Sequence, residues 1–389
     1  MTRRILHILG SLNTGGAENL VLDLLACSTG EGHKTIEFHL VYMHSSNPHR
    51  QSLFEGLLGS RLKYIPCGKG SAATFRFIGA LRNYITNHKI EEIHCHNNVD
   101  AYWAYIASVF TGVKKITLSV HGLNLDFCFL TKKSALLSSF ERKILGAIEI
   151  KYVSGVTRDF YLQKHGWKEL DGEIVHNGID WSKFGFCKDS KPSGVSVSNE
   201  DLEDGMKPWM SGSKPLFLMV GNFNTPVRLQ NLLCKAMAGM KGELPFRFLF
   251  VGERNAQLPN LYDNCVQICK DAGLLDTDVF FLGRRDDVPA LMALTDGYIY
   301  ASQGDTFGIS VVEAAGAGLP VICSRIPAFV EVLQDGKYGT LVENSEESFV
   351  RAMVSLASVV RGNSSKKETA QEIREIYSVQ QCFRKYYGD

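Results

Sequence analysis

Ala301-Ser-Gln-Gly-Asp-Thr-Phe-Gly-Ile-Ser-Val-Val-Glu-Ala-Ala-Gly-Ala-Gly-Leu-Pro320 follows the apolar run Gly297 to Tyr300, which reads as a buried strand. Gln303, Gly304 and Asp305 form a turn, and small helix-forming residues begin at Ile309, so the stretch reads as strand, glycine loop and helix. At such a helix start the backbone N–H groups of Phe307, Gly308 and Ile309 lack intrahelical partners, and together with the macrodipole they favour an anion. Asp305 and Glu313 stand eight residues apart, one on the loop and one about a turn into the helix. Two acceptors beside a phosphate suggest a sugar nucleotide. The plainer reading makes Asp305 a dipole partner worth about 0.3 to 1 kcal/mol and Glu313 a solvated helix residue.

The rest of the chain is long enough for more than this one unit. With 389 residues, 45% hydrophobic and 21% charged, it has material for two cores of roughly 150 to 200 residues each. A net charge of +1 gives no global reason to expect nucleic acid as a partner. The ten cysteines are scattered, mostly in apolar segments such as those of Cys95, Cys234 and Cys323. With no secretory signal and no apolar span of 18 residues, they read as reduced thiols of a cytoplasmic protein. Cys265 and Cys269 lie one helical turn apart without a second ligand pair nearby, which argues against zinc.

Arg4 to Gly10 is a short apolar strand leading through Gly15-Gly16 into a helical pattern at Leu20, Val21, Leu24 and Leu25. Strands then alternate with helices: Ile36 to Val41, Glu92 to Cys95, Lys115 to Val120 and Glu149 to Val153, each separated by helical periodicity. That alternation predicts an α/β protein with parallel sheets covered on both faces. His121-Gly122 follows the strand Lys115 to Val120, at the carboxyl end where open parallel sheets bind ligands. His94 and His96 flank Cys95 and share a face, yet as a metal pair they lack further ligands. The segment Leu130 to Ile150 has helical apolar spacing with Lys132, Lys133, Arg142 and Lys143 at its ends, the pattern of a surface helix or of an interfacial membrane contact.

From Phe186 to Ser213 the chain loses its apolar period and reads as a linker. Pro215 to Gly221 restarts the strand pattern, and Asn222 to Val227 leads to Arg228 at the mouth of a helix. A cation there opposes the helix dipole, so its position asks for an anion. Asp276-Thr-Asp278 mimics a metal-binding pair but precedes a strand, and reads as a polar turn. Helices from Ser345 to Val360 and from Lys366 to Tyr387 close the chain.

Taken together, Gly15-Gly16-Ala17-Glu18, His121-Gly122, Asn177-Gly-Ile-Asp180, Arg228 after a strand-end glycine, and Asp305 with Glu313 followed by Gly318-Leu-Pro320 resemble glycosyltransferase family 4. The resemblance spans nearly the whole chain. It implies a GT-B fold of two Rossmann-like, doubly wound domains facing each other across a cleft. The domains would be residues 1–185 for the acceptor and 214–364 for the nucleotide sugar, joined by the linker 186–213, with residues 365–389 forming a helix that crosses back. It also implies a retaining, metal-independent hexosyl or N-acetylhexosaminyl transfer from a nucleotide sugar, most often a UDP-sugar, with no other cofactor. The acceptor would be a saccharide or lipid-linked saccharide of cell-surface polysaccharide assembly, met in the cytoplasm or at the cytosolic face of the membrane.

Carried onto this sequence, the resemblance assigns Glu313 to the ribose hydroxyls, Asp305 and His121 to the donor sugar, and Arg228 to the diphosphate. Gly16 and the amides of Phe307, Gly308 and Ile309 would share the phosphate contacts, the backbone around Arg284 and Val288 would hold the base, and Thr306 and Asn222 would also bind the donor. Catalysis would rest on His121, Asp305 and Arg228. Two positions depart from the family: Asp305 stands where Glu is usual, and Asn222 where Arg follows the glycine. Lys235, Arg254, Arg284 and Arg325 are available as replacement cations. Two other readings use the same residues. A nucleotide-sugar epimerase would need cleft carboxylates, for which Glu18 and Asp126 are the candidates in the first half, and a catalytically silent sugar-nucleotide binder would account for Asp305 and Asn222.

Overall fold

The computed structural model describes residues 2–13, 15–28, 35–68, 70–123, 135–166, 168–185, 213–240, 243–360 and 367–388. They fall into two compact units, Met1–Gly178 with Val379–Asp389, and Ile179–Ser378.

The first unit runs β1 (Arg3–Leu9), α1 (Gly16–Cys27), β2 (Ile36–Tyr42), α2 (Pro48–Leu58), β3 (Leu62–Tyr64), α3 (Ser71–Asn87) and β4 (Glu92–Cys95), then α4 (Asn98–Ser108), β5 (Lys115–Val120), α5 (Ala135–Leu145), β6 (Glu149–Tyr152), α6 (Gly155–His165) and β7 (Glu173–Ile174). Its seven strands are ordered β3-β2-β1-β4-β5-β6-β7, and every pair is parallel. Alternation along β1 explains the two cores. Ile5 and Leu9 pack with Leu20, Leu24 and Phe38 on one face, whereas Leu6 and Ile8 pack with Phe77, Leu81 and Ala104 on the other. The strand β3 is only three residues long and sits at the sheet edge, so its Leu-Lys-Tyr alternation is too short to announce it.

The second unit runs β8 (Leu216–Val220), α7 (Gln230–Ala238), β9 (Arg247–Val251), α8 (Pro259–Asp271), β10 (Val279–Phe281), α9 (Val288–Leu294), β11 (Gly297–Tyr300), α10 (Ile309–Gly316), β12 (Val321–Ser324), α11 (Pro327–Val332), β13 (Thr340–Val342), α12 (Glu346–Val360) and α13 (Lys367–Ile376). Its six parallel strands are ordered β10-β9-β8-β11-β12-β13. Phe217, Phe246, Phe248 and Phe250 are fully buried, and Phe250 stacks on Phe281 at 4.9 Å between centroids.

The terminal helix expected over Lys366 to Tyr387 is two helices. Ile179 donates its N–H to the Tyr377 carbonyl at 2.8 Å and pairs with Ser378 as a parallel bridge, which takes backbone groups the helix ladder needs. The chain restarts as α14 (Val379–Tyr387), which packs against α1 in the first unit and buries Val379, Cys382, Phe383, Tyr386 and Tyr387. Asp276-Thr-Asp278 is the polar turn expected of it, with Asp278 bound to Lys214 at 2.8 Å.

In each sheet the strand order reverses at the first strand of the unit, between β1 and β4 and again between β8 and β11. Crevices at such switch points, outside the carboxyl ends of the strands, are where doubly wound sheets take ligands. Beside the second, just past the ends of β8 and β9, a β-carbon on Gly252 would collide with the Gly221 carbonyl. That obstacle is backbone and cannot rotate away. Gly252→Ala is expected to lower stability by about 1 to 3 kcal/mol in chemical denaturation, with an unchanged midpoint as the contrary result.

Candidate functional site

The second switch point is assembled by two loops that pair like strands. After β8, residues Gly221 to Leu229 return toward β11, where Leu229 donates its N–H to the Ala301 carbonyl at 3.0 Å and Gln303 donates to the Val227 carbonyl at 2.9 Å. Arg228 and Ser302 face each other across this antiparallel bridge. The guanidinium of Arg228 is fixed by the Tyr300 hydroxyl at 3.0 Å, the Asn222 carbonyl at 3.1 Å and the Asn224 side chain at 2.5 Å. Burial works to lower its pKa, and the Tyr300 hydroxyl and the Asp305 carboxylate more than offset it, so the cation is held above its ordinary value. Arg228 and Asp305 thus share one electrostatic neighbourhood.

Asp305 does more than the sequence suggests. Its Oδ1 accepts the N–H groups of Thr306 at 2.7 Å, Phe307 at 3.2 Å and Gly308 at 3.1 Å. This corrects the expectation that the amides of Phe307 and Gly308 stand free for a phosphate. A carboxylate one residue before the turn reaches them first, as Asp commonly does in loops. The phenyl ring of Phe307 is buried edge-on to Tyr377 at 5.6 Å, a core contact. Gly308 caps α10 at φ +83°, and a β-carbon there would lie 2.5 Å from Phe329, so both backbone and space demand glycine.

Ile309 is the first residue of α10, and Glu313 lies one turn further, partly buried. Ser310 directs its hydroxyl at the Val220 carbonyl at 3.5 Å, tying the helix to the end of β8. Asn222 accepts the Glu253 N–H through its side chain at 2.9 Å. Arg284 pairs with Asp286 at 3.3 Å, and Val288 opens α9. Of the cations that could replace a second arginine, Arg254 is bound by both oxygens of Asp263 at 2.8 Å each and Arg325 pairs with Asp335 at 3.1 Å. Sequence reasoning missed Tyr300 and Tyr298. Alternation in Gly297 to Tyr300 puts both rings on one face of β11, and that was the available signal.

In the first unit, His121 follows β5, and Tyr161 donates to the adjoining Gly122 carbonyl at 2.9 Å. His121 Nε2 lies 3.1 Å from Nδ1 of His96, whose Nε2 lies 3.0 Å from His7 Nδ1. Burial lowers the His121 pKa to about 4 and that of His7 to about 3, and holds His94 and His96 well below the ordinary range. These rings are neutral at physiological pH. His7 supplies the third member that His94 and His96 lacked as a metal pair, with candidate ligand atoms of all three within 4.8 Å of one another. At the other loop, Glu18 folds its carboxylate over Gly15, beside the N-terminus of α1 where Gly16 was expected to meet a phosphate. Burial raises the Glu18 pKa.

Lys132, Lys133 and Asp126 lie outside the described residues. Within the basic segment, Arg142 pairs with Glu169 at 2.8 Å, while Ile144 and Leu145 enter the core. Among the described residues no helix is long and apolar enough to cross a membrane. The eight described cysteines are free thiols. Burial beside Cys265 and Cys269 raises the Cys234 pKa well above its usual value.

Two predictions come from this geometry. Asp305→Ala removes the acceptor for three amides and is expected to cost about 1 to 2 kcal/mol in denaturant unfolding, whereas Asp305→Asn keeps an oxygen in place and loses little. Equal losses in both variants would refute the turn. The four depressed histidines of this cluster make the folded protein bind fewer protons than the unfolded chain between pH 6.5 and about 4. Their contribution is complete above pH 6.5 and is lost as pH falls, by up to about 1.4 kcal/mol per pH unit for each histidine. Denaturation midpoints measured from pH 7 to pH 5 should fall steeply, and a flat profile would contradict the burial.

Comparison with known proteins agrees with this arrangement. The family model "Glycosyltransferase Family 4" matches residues 14–183, and "Glycosyl transferases group 1" matches residues 214–358. A phosphatidyl-myo-inositol mannosyltransferase of Mycobacterium tuberculosis is 26% identical over 337 residues, 84% of this chain and 79% of that protein. Among solved structures, a glycosyltransferase from Rickettsia africae ESF-5 superposes with a TM-score of 0.77 at 17% identity, covering 99% of this chain and 97% of that one. Anabaena Alr3699/HepE in complex with UDP and glucose gives 0.74 at 17% identity, covering 99% and 98%. Two Rossmann-like units with parallel sheets of seven and six strands are the GT-B fold of these neighbours. With one glycosyltransferase model matched on each half, the chain belongs to glycosyltransferase family 4.

Proposed function

We propose that this glycosyltransferase moves a hexosyl or N-acetylhexosaminyl group from a nucleotide sugar, most simply a UDP-sugar, to a saccharide or lipid-linked saccharide acceptor of cell-surface polysaccharide. The observation that carries the reading is Arg228, held by Tyr300 and Asn222 within the field of Asp305, at the mouth of the β8/β11 switch point. A fixed, always charged guanidinium at that place suits a diphosphate. The Anabaena neighbour carries UDP and glucose, and the mycobacterial relative is named for mannosyl transfer to a phosphatidylinositol, which supports a nucleotide donor and a lipid-borne acceptor.

In this reading Glu313 accepts from the ribose hydroxyls, the second oxygen of Asp305 accepts from a sugar hydroxyl, and the backbone near Arg284 and Val288 meets the base. With Thr306, Phe307 and Gly308 amides committed to Asp305, the diphosphate rests on Arg228 and on the dipole of α10. Asn222 borders the donor. Transfer breaks the bond from the anomeric carbon to the phosphate oxygen and forms one to the acceptor oxygen on the same face. The departing phosphate oxygen takes the acceptor's proton, so configuration is retained and no protein nucleophile is needed. Charge grows on the diphosphate as the bond breaks, and Arg228 acts most strongly there, in place of a divalent metal.

Arg228→Ala is expected to reduce kcat at least about a hundredfold, the usual cost of losing one such donor. Transfer at the wild-type rate would remove Arg228 from the mechanism, and abolition of wild-type transfer by a chelator would overturn the metal-free reading. A panel of nucleotide sugars in thermal denaturation identifies the donor. At a hundred times its dissociation constant, the right one adds about 2.7 kcal/mol.

A further inference from the structure

Alternate residues of three neighbouring strands in the first unit point to one face, and their polar members make a continuous line. From the ligand end inward it runs from His121 Nε2 to His96 Nδ1 at 3.1 Å, and from His96 Nε2 to His7 Nδ1 at 3.0 Å. It continues from His7 Nε2 to the Tyr387 hydroxyl at 3.1 Å and on to His94 Nδ1 at 2.7 Å. From His94 Nε2 it reaches Ser119 Oγ at 2.7 Å, which donates to the Tyr386 hydroxyl at 2.8 Å. His7, His94, His96 and Ser119 are each at most 5% exposed.

The direction of the last bond determines all the others. Ser119 spends its only hydrogen on Tyr386, so it must accept from His94, which makes His94 the Nε2–H tautomer with a bare Nδ1. Tyr387 then donates to His94 Nδ1 and accepts from His7 Nε2–H. The same step repeats through His7 and His96, because a neutral imidazole has one donor and one acceptor. At the end of the line His121 must donate from Nε2.

We infer that this line of hydrogen bonds holds His121 as its Nε2–H tautomer and leaves Nδ1 as a bare acceptor for a sugar hydroxyl, with His96, His7, Tyr387, His94 and Ser119 as positioning residues. The assignment rests on the reading that His121 meets the transferred sugar. Burial keeps every ring uncharged, as the relay requires. A metal held by His7, His94 and His96 is the rival use of these groups. It would break bonds that already occupy both ring nitrogens of each, and would bury a cation with no carboxylate in the set.

Nitrogen-15 NMR of histidine-labelled full-length protein distinguishes the two neutral tautomers directly and needs no substrate. Four neutral Nε2–H rings are expected for His7, His94, His96 and His121. His121 as Nδ1–H, or one equivalent of zinc in the purified protein, would overturn the inference. Tyr387→Phe removes the one hydroxyl linking His7 to His94 and should replace the single His121 signature with a mixture of tautomers. Ser119→Ala cuts the line at its far end and should do the same, so the test survives if the first variant folds poorly. An unchanged His121 signature in either folded variant counts against the relay. Undiminished transfer by His121→Ala, beside intact tautomers in the wild type, would overturn the sugar contact and not the relay.

Discussion

The candidate donor site depends on a short stretch of backbone pairing that belongs to neither sheet. Leu229 and Gln303 exchange hydrogen bonds with Ala301 and Val227, so the loop after β8 is fastened to the loop after β11. Those strands are neighbours only because the order reverses there. Without this fastening Arg228 would be a long side chain on a free loop, and ordering it would cost conformational entropy at the moment of binding. With it, the guanidinium is already desolvated in part, already bonded to Tyr300, and already beside Asp305. Preorganisation of this kind makes one charge effective in catalysis.

The two switch points solve different electrostatic problems. The one in the second unit is charged, with the Arg228 cation bonded to Tyr300, Asn222 and Asn224. The buried line in the first unit is neutral, with four imidazoles, two phenols and a serine hydroxyl bonded to one another under burial that would make any single unpaired member costly. Asp100, buried near the start of α4, is uncharged at neutral pH as well, because burial lifts its pKa to about 8.

Much of this was legible in the sequence because strands and helices alternate with clear apolar runs, which is enough to specify parallel sheets and to put Asp305, Arg228 and His121 after strand ends. What escaped notice has identifiable physical causes. The capture of three amides by Asp305 depends on where one carboxylate oxygen points, which spacing does not encode. Tyr298 and Tyr300 looked like strand filler because a tyrosine in an apolar run shows no sign of where its hydroxyl goes. His7 stands in the apolar run of β1, and spacing gives no sign of its partner hydroxyl 380 residues away. The terminal helix was read as continuous because its helical period crosses Tyr377, while the bridge that breaks it comes from Ile179.

The first unit is discontinuous: its sheet comes from residues up to Gly178, and its last helix from Val379 onward. Tyr386 and Tyr387 lie in the final turn of that helix and close the buried histidine line. During synthesis the nascent amino-terminal sheet therefore emerges from the ribosome with His7 and His94 lacking their phenol partner, and it stays so until Tyr387, 380 residues after His7, has been made. The second unit, whose residues Ile179 to Ser378 are contiguous, is free to mature beforehand, so the half made first is the half completed last.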